Sequence, residues 1–223
     1  MRDETKCLHA GYTPKNGEPR VVPIVQSTTY VYDSTDEVAS VFDEPTKSLI
    51  YSRFANPTVM AVEEKIAALE GGVGAMCTSS GQAASLLSIL NLCNAGDSFL
   101  ATAEIYGGTV NLFTHTLKKL GIECIYIEKG MTDEEIDALF KPNTKAVFGE
   151  TIANPALTVL DIERYANIAH RHGVPLIVDN TFATPVLCKP FDFGADIVIH
   201  STTKYMDGHA VQGGGIIVDS GKF

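Results

Sequence analysis

Apolar positions along this chain follow two periods that alternate from about residue 57 onward. Val59, Val62, Ile66 and Leu69 keep one face of a helix. Asn56-Pro57 opens that helix as N-cap and first helical residue, and Gly71-Gly72 ends it. Short apolar runs and helical stretches then take turns. Strands are predicted at Ala75–Thr78, Ser98–Ala101, Ile122–Ile127, Lys145–Gly149, Val174–Asp179, Asp196–His200 and Gly215–Val218. Between them the spacing predicts helices over Gln82–Leu92, about Thr109–Leu120, Thr132–Phe140 and Asp161–His172. Thr132-Asp-Glu-Glu135 has the form of a capping box. Residues 1 to about 50 show few clean periods and are broken by Gly11, Pro14, Gly17, Pro19 and Pro23.

The alternation of strand and helix predicts an α/β fold, a mostly parallel sheet with helices on its faces. The strands read as continuous apolar runs, as strands covered on both sides do. Residues 51–223 are expected to form this large domain. Residues 1–50 are expected to be an irregular N-terminal arm that packs on a partner subunit, since such a segment buries little by itself.

Composition narrows the function. Seventeen basic residues face 27 acidic ones, a net charge of -10, and no stretch gathers Lys or Arg into a patch. Nucleic acid is therefore not an expected partner. The five cysteines are scattered without a Cys-x-x-Cys pair, so neither a zinc ribbon nor a disulfide framework is signalled. No apolar run reaches the roughly 18 residues of a membrane helix, and the charged start lacks the apolar segment of a signal peptide. A cytoplasmic protein with free thiols is the expectation. His170 and His172 fall on different helix faces and are not expected to bind metal.

Three polar motifs lie at the carboxyl ends of predicted strands, where ligands of parallel sheets bind. Thr78-Ser-Ser-Gly-Gln-Ala-Ala84 joins a strand to a helix, and small residues before a helix N-terminus suit a phosphate. A tight turn without a ligand explains that motif equally well. Asp179, ending Val178-Asp-Asn-Thr-Phe182, sets a carboxylate where it needs a positive partner such as a protonated pyridine nitrogen, or else caps a turn. Lys204 follows the next strand in His200-Ser-Thr-Thr-Lys-Tyr205, among hydroxyls able to bind phosphate. In a desolvated pocket its amine form is favoured, as Schiff-base chemistry requires; the plain alternative is a surface lysine. The Gly-x-Gly-x-x-Gly and P-loop glycine patterns are absent, which tells against nucleotide folds.

In this order the three motifs resemble the Cys/Met-metabolism family of pyridoxal-phosphate (PLP) enzymes, over essentially the whole chain. Glu150-Thr-Ile-Ala-Asn-Pro155 and His200–His209 look most like its O-acetylhomoserine sulfhydrylase branch. The resemblance implies the large domain of PLP fold type I and a PLP-dependent transferase making homocysteine or methionine from an activated homoserine ester and a sulfide. Methionine gamma-lyase and cystathionine gamma-synthase or lyase are the alternatives within the family, and a catalytically silent cofactor-binding or oligomerisation fragment is the alternative outside it. Gly108 stands where methionine gamma-lyases usually carry cysteine, which weakens that branch.

Residue by residue, the resemblance implies that Lys204 carries the cofactor and shuttles protons, and that Asp179 pairs with the pyridine nitrogen. It implies that Gly81, Gln82, Ser201 and Thr203 hold the phosphate. Tyr106 is implied to stack on the ring and assist proton transfer, with Asn154 near the phenolic oxygen. Tyr51 and Arg53 resemble the pair that reaches the cofactor phosphate of a neighbouring subunit, in a homo-oligomer of dimeric or tetrameric form. Family members are longer, and the arginine that binds the substrate carboxylate is expected in a smaller C-terminal domain beyond Phe223.

Overall fold

A computed structural model describes residues 1–43 and 49–223 of the chain. Contacts divide it into two compact units, Met1–Leu69 and Glu70–Phe223. The division falls at the last residue of the helix predicted after Asn56-Pro57, while the sequence pattern suggested a boundary near residue 50.

Hydrogen bonds inside the first unit explain the shift. Helix α3 (Pro57–Glu70) is tied to the segment before it. Thr58 Oγ1 donates to Pro23 O at 2.7 Å and accepts from Val25 N–H at 2.9 Å. Asn56 Nδ2 donates to Val25 O at 3.0 Å, and Lys65 Nζ to Cys7 O at 3.0 Å. Gly11 passes so close that a Cβ there would lie 2.0 Å from Ala61 O, and its φ of +83° also favours glycine. The arm is less irregular than its broken periods predict, since it contains α1 (Asp3–His9) and α2 (Thr35–Asp43). Both are short, and neither has a buried residue.

In the second unit the alternation is realised. Strands β1 (Gly74–Thr78), β2 (Ser98–Thr102), β3 (Glu123–Ile127), β4 (Thr144–Glu150), β5 (Leu176–Asp179), β6 (Ile197–His200) and β7 (Gly215–Asp219) form one sheet in the order β1-β7-β6-β5-β4-β2-β3. The neighbours among β2 to β6 are parallel; β7 runs antiparallel to both β1 and β6. The mostly parallel sheet expected from the sequence is thus observed, with β7 as the exception.

The helices of this unit are α4 (Gly81–Leu92), α5 (Gly107–Asn111), α6 (Asp133–Asp137), α7 (Ile162–Arg171) and α8 (Thr184–Leu187). The single helix expected over Thr109–Leu120 is α5 followed by a π-helical turn, Leu112–Leu117. Thr132 does close a capping box with Glu135 at the head of α6. Phe113 packs edge-on against Phe99 at 4.8 Å and Phe148 at 5.0 Å, in a core that also buries Ile89, Leu117, Ile177 and Ile199. All five residues of β2 are buried, as its unbroken apolar run requires. His170 pairs with Asp196 at 2.8 Å and His172 with Asp137 at 2.7 Å, so both histidines have structural partners. Burial pushes the Cys93 and Cys124 thiols up to about 11 and about 12, which keeps them protonated. No helix among the described residues is long and apolar enough to cross a membrane.

Candidate active site

The loops that leave the carboxyl ends of the parallel strands converge on one open cleft of about 1250 Å³. Its walls bring together Gly81, Gln82, Tyr106, Asn154, Asp179, Ser201, Thr203 and Lys204, the eight residues singled out from the sequence in this unit. A smaller cavity of about 190 Å³ lies at Glu104, Lys129 and Arg164, and of the eight it includes none.

The candidate phosphate cradle is the start of α4. Ser80 is its N-cap, accepting from Ala83 N–H at 3.1 Å through Oγ, while Ala84 N–H reaches Ser80 O at 3.0 Å. The N–H groups of Gly81 and Gln82 have no partner among the described residues. They are free to bind an anion at the positive end of the helix. Gly81 lies against Ser201: a Cβ at Gly81 would sit 2.5 Å from the Ser201 Cβ, so only glycine lets the two loops close on each other. Thr203 is more committed than the sequence implies. Its Oγ1 accepts from Gly214 N–H at 2.9 Å and points at Gly214 O at 3.2 Å. To hold a phosphate it must turn its hydroxyl away from Gly214.

Asp179 ends β5 with its carboxylate half-buried at the cleft. Oδ1 accepts from both the N–H (2.9 Å) and the hydroxyl of Thr181, whose Oγ1 in turn accepts Ser201 N–H at 2.8 Å. Burial pushes the Asp179 carboxyl above its ordinary range, against the Thr181 hydrogen bonds and the charge of His200, which pull it down. Oδ2 takes no hydrogen bond among the described residues, and a cationic N–H is the partner such a carboxylate needs. The residues present therefore fit a pyridine ring with a phosphate arm.

Lys204 borders the same cleft but is exposed in this chain, where the sequence pattern placed it in a desolvated pocket. An open cleft leaves its walls wet. Tyr106 is half-exposed at the N-cap of α5, and its ring covers Gly108, where a Cβ would lie 2.5 Å from the ring. Asn154 is exposed on the loop after β4. Tyr51 and Arg53 belong to the first unit, where the Arg53 guanidinium stacks over Tyr51 at 5.5 Å and Phe54 at 5.0 Å. Arg53 makes no ion pair among the described residues.

Two acidic residues are not flagged by the sequence motifs. Glu150 closes β4 beside Asp179 in register, and its Oε2 accepts the Tyr106 N–H at 2.7 Å. The signal was there: an acidic residue ends an apolar parallel strand, as Asp179 does. Glu70 had none, because a glutamate before Gly71-Gly72 reads as an exposed helix end. It is fully buried, and its Oε1 accepts from Asn180 Nδ2 at 3.0 Å and meets His200 Nε2. Thr151 Oγ1 donates to Asn180 Oδ1 at 2.9 Å. This buried polar chain lies directly behind the segments that carry Asp179 and Ser201.

Comparison with known proteins agrees with this geometry. The family model for Cys/Met metabolism PLP-dependent enzymes matches residues 4–223. An O-acetyl-L-homoserine sulfhydrylase of Corynebacterium glutamicum is 47% identical over 221 residues, covering 99% of this chain and 51% of that protein. A homocysteine/cysteine synthase of Kluyveromyces lactis is 46% identical over 223 residues, covering 99% of this chain and 50% of that protein. The chain thus spans about half the length of the curated relatives it matches. A Campylobacter jejuni crystal structure, described as an O-acetylhomoserine (thiol)-lyase with N'-pyridoxyl-lysine-5'-monophosphate, superposes with a TM-score of 0.94 at 36% identity. It covers 100% of this chain, which spans 54% of the Campylobacter chain.

Proposed function

The chain belongs to the Cys/Met metabolism PLP-dependent enzymes, and on that premise we propose that it serves homocysteine synthesis from O-acetylhomoserine and sulfide, with release of acetate. The observation that carries the reading is the cleft in which Lys204, Asp179 and the free N–H groups of α4 face one space. PLP, when bound, supplies an electron sink for the substrate's α carbon. Everything else falls to the chain. The Gly81 and Gln82 N–H groups and the Ser201 hydroxyl bind the phosphate. Asp179 holds a proton on the pyridine nitrogen through Oδ2. Lys204 Nζ attaches the cofactor and moves protons at the substrate's α carbon. Tyr106 packs on the ring, and Asn154 orients its phenolic oxygen. Tyr51 and Arg53 reach the phosphate of a neighbouring subunit's cofactor in a cytoplasmic homotetramer, where a guanidinium can bind a phosphate in two places.

The test is a paired assay on the purified protein at saturating PLP. O-acetylhomoserine with sulfide is expected to yield homocysteine faster than methionine yields methanethiol. Dominant methionine cleavage would move the chain to the lyase branch, and a colourless protein without turnover would leave it a silent fragment.

Asp179 gives a second expected result. Asp179→Ala removes the charge that keeps the pyridine nitrogen protonated, and PLP affinity is expected to fall by about tenfold to a hundredfold, the loss of one charge-assisted hydrogen bond. Fluorescence titration of PLP into both proteins measures it. An unchanged affinity would make Asp179 a turn residue that holds Thr181 and nothing more.

A further inference from the structure

Glu150 has a chemistry that the roles above leave unused. Only 7% of its surface is exposed, yet no cation among the described residues pairs with it. Its partners are backbone. Oε2 accepts the Tyr106 N–H at 2.7 Å, and the backbone of Asn154 is near enough to help stabilise the ionised carboxylate. Tyr106 heads α5 with no side-chain cap, so this carboxylate is what satisfies its N–H. Tyr106 and Asn154 stand 48 positions apart on separate loops, and both line the cleft. One side chain therefore holds the Tyr106 wall of the cleft and faces the Asn154 wall.

The charges around it explain how firmly it can do so. On the cleft side stand Asp179, in register across the sheet, with Lys204 and the Tyr106 phenol. On the other side Glu150 borders the smaller cavity with Glu104, Lys129, Asp161, Arg164 and Tyr165. The two cations there are engaged elsewhere, Lys129 with Glu104 at 3.2 Å and Arg164 with Asp133 at 2.7 Å. Burial first, and then the Asp179 charge, push the Glu150 carboxyl up to about 7, against the two backbone N–H groups that pull it down. Below about 7 it is protonated and accepts the Tyr106 N–H weakly; above, it is ionised and holds it as a charge-assisted bond.

We propose that Glu150 is a positioning residue of this site: its carboxylate anchors the backbone of Tyr106, beside that of Asn154, and so sets where these side chains meet the cofactor. The placement of those side chains rests on the functional reading above, but the anchoring does not. Ionisation of Glu150 tightens the anchor, and its protonation loosens it. A cation against Asp179 relieves part of the repulsion that Glu150 feels, so filling the site favours the tightened form.

Backbone amide NMR of the protein without cofactor, from pH 5 to 9, tests the anchor directly. The Tyr106 and Asn154 amide signals are expected to move together with a midpoint near 7. In Glu150→Gln both should stay flat, and Glu150→Asp should restore a titration, because a carboxylate is present again. Static amides in the unsubstituted protein, or a titration that persists in Glu150→Gln, would overturn the proposal. Should Glu150→Gln fail to fold, the titrations of the unsubstituted protein and of Glu150→Asp still support or overturn it. In the loaded protein, Glu150→Gln is expected to lower kcat about tenfold, the weight of one hydrogen bond to a charged group, and to remove an acidic limb that lies below the midpoint of the empty protein, because the filled site favours the ionised carboxylate. A protein that never takes up PLP would sink the functional reading while leaving the amide titration as it is.

Discussion

With Lys204 replaced by alanine, borohydride reduction in the presence of PLP is expected to leave no pyridoxyl group on the 201–205 segment. The unsubstituted protein should carry it there, as peptide mass mapping reads directly. Among the described residues that wall the cleft, Lys204 is the one lysine. Its backbone is fixed by its N–H to Ser201 O at 3.2 Å, in the turn that follows β6, so the side chain starts beside the phosphate cradle. In the proposed function, removing it takes away both the covalent anchor and the base for the α proton. Exchange of the substrate's α proton with solvent should therefore fall by about 10³-fold, within the range expected for a positioned acid–base group. Lys204→Arg should be no better, since a guanidinium stays charged and neither attacks nor accepts a proton. A pyridoxyl group on another lysine would break the assignment of the cleft as the cofactor site.

The second large effect is on stability. Glu70, Asn180 and His200 meet in the interior, where the Glu70 and His200 side chains are at most 1% exposed. Glu70→Ala deletes the acceptor that both neighbours share, leaving His200 Nε2 without its carboxylate and Asn180 Nδ2 with only Cys188 O, at 2.9 Å. Breaking a buried pair from one side costs about 3–5 kcal/mol, because the remaining polar groups stay buried without compensation. Chemical denaturation should show that loss, and the melting temperature should drop by roughly 10 °C. Glu70→Gln, which keeps an acceptor of the same shape, should lose less. A Glu70→Ala protein within about 1 kcal/mol of the original would mean that water replaces the carboxylate without cost. The same network backs Asp179 and Ser201, so PLP affinity should fall alongside stability.

Both expectations depend on features of very different visibility. Lys204 was legible in the hydroxyl-rich run that follows an unbroken apolar strand, and Asp179 because it ends one. A charged side chain is costly in that position unless it has a partner, so its presence there marks chemistry. Glu150 obeys the same rule at the end of β4 and could have been found by it. Gly81 was legible only as a small residue before a helix. That it lies against Ser201, 120 positions later, is a fact of tertiary packing. Glu70 could not be read at all, since its burial comes from residues 110 and 130 positions further on.

By itself, then, the sequence determined the periodic elements, the mostly parallel sheet and the loops from which an active site could be built. Those follow from local pattern: apolar runs must be covered, and a polar group at a strand end must find a partner or face the ligand. Tertiary structure decided the rest. It put β7 antiparallel between β1 and β6, which no periodicity distinguishes, because an apolar run carries no direction. It assigned α3, up to Leu69, to the N-terminal unit, through hydrogen bonds to backbone groups whose partners no pattern in the sequence names. It committed the Thr203 hydroxyl to Gly214 and buried Glu70 and Glu150. A carboxylate's surroundings are set by whatever the fold brings within hydrogen-bond distance, and those neighbours are far away along the chain.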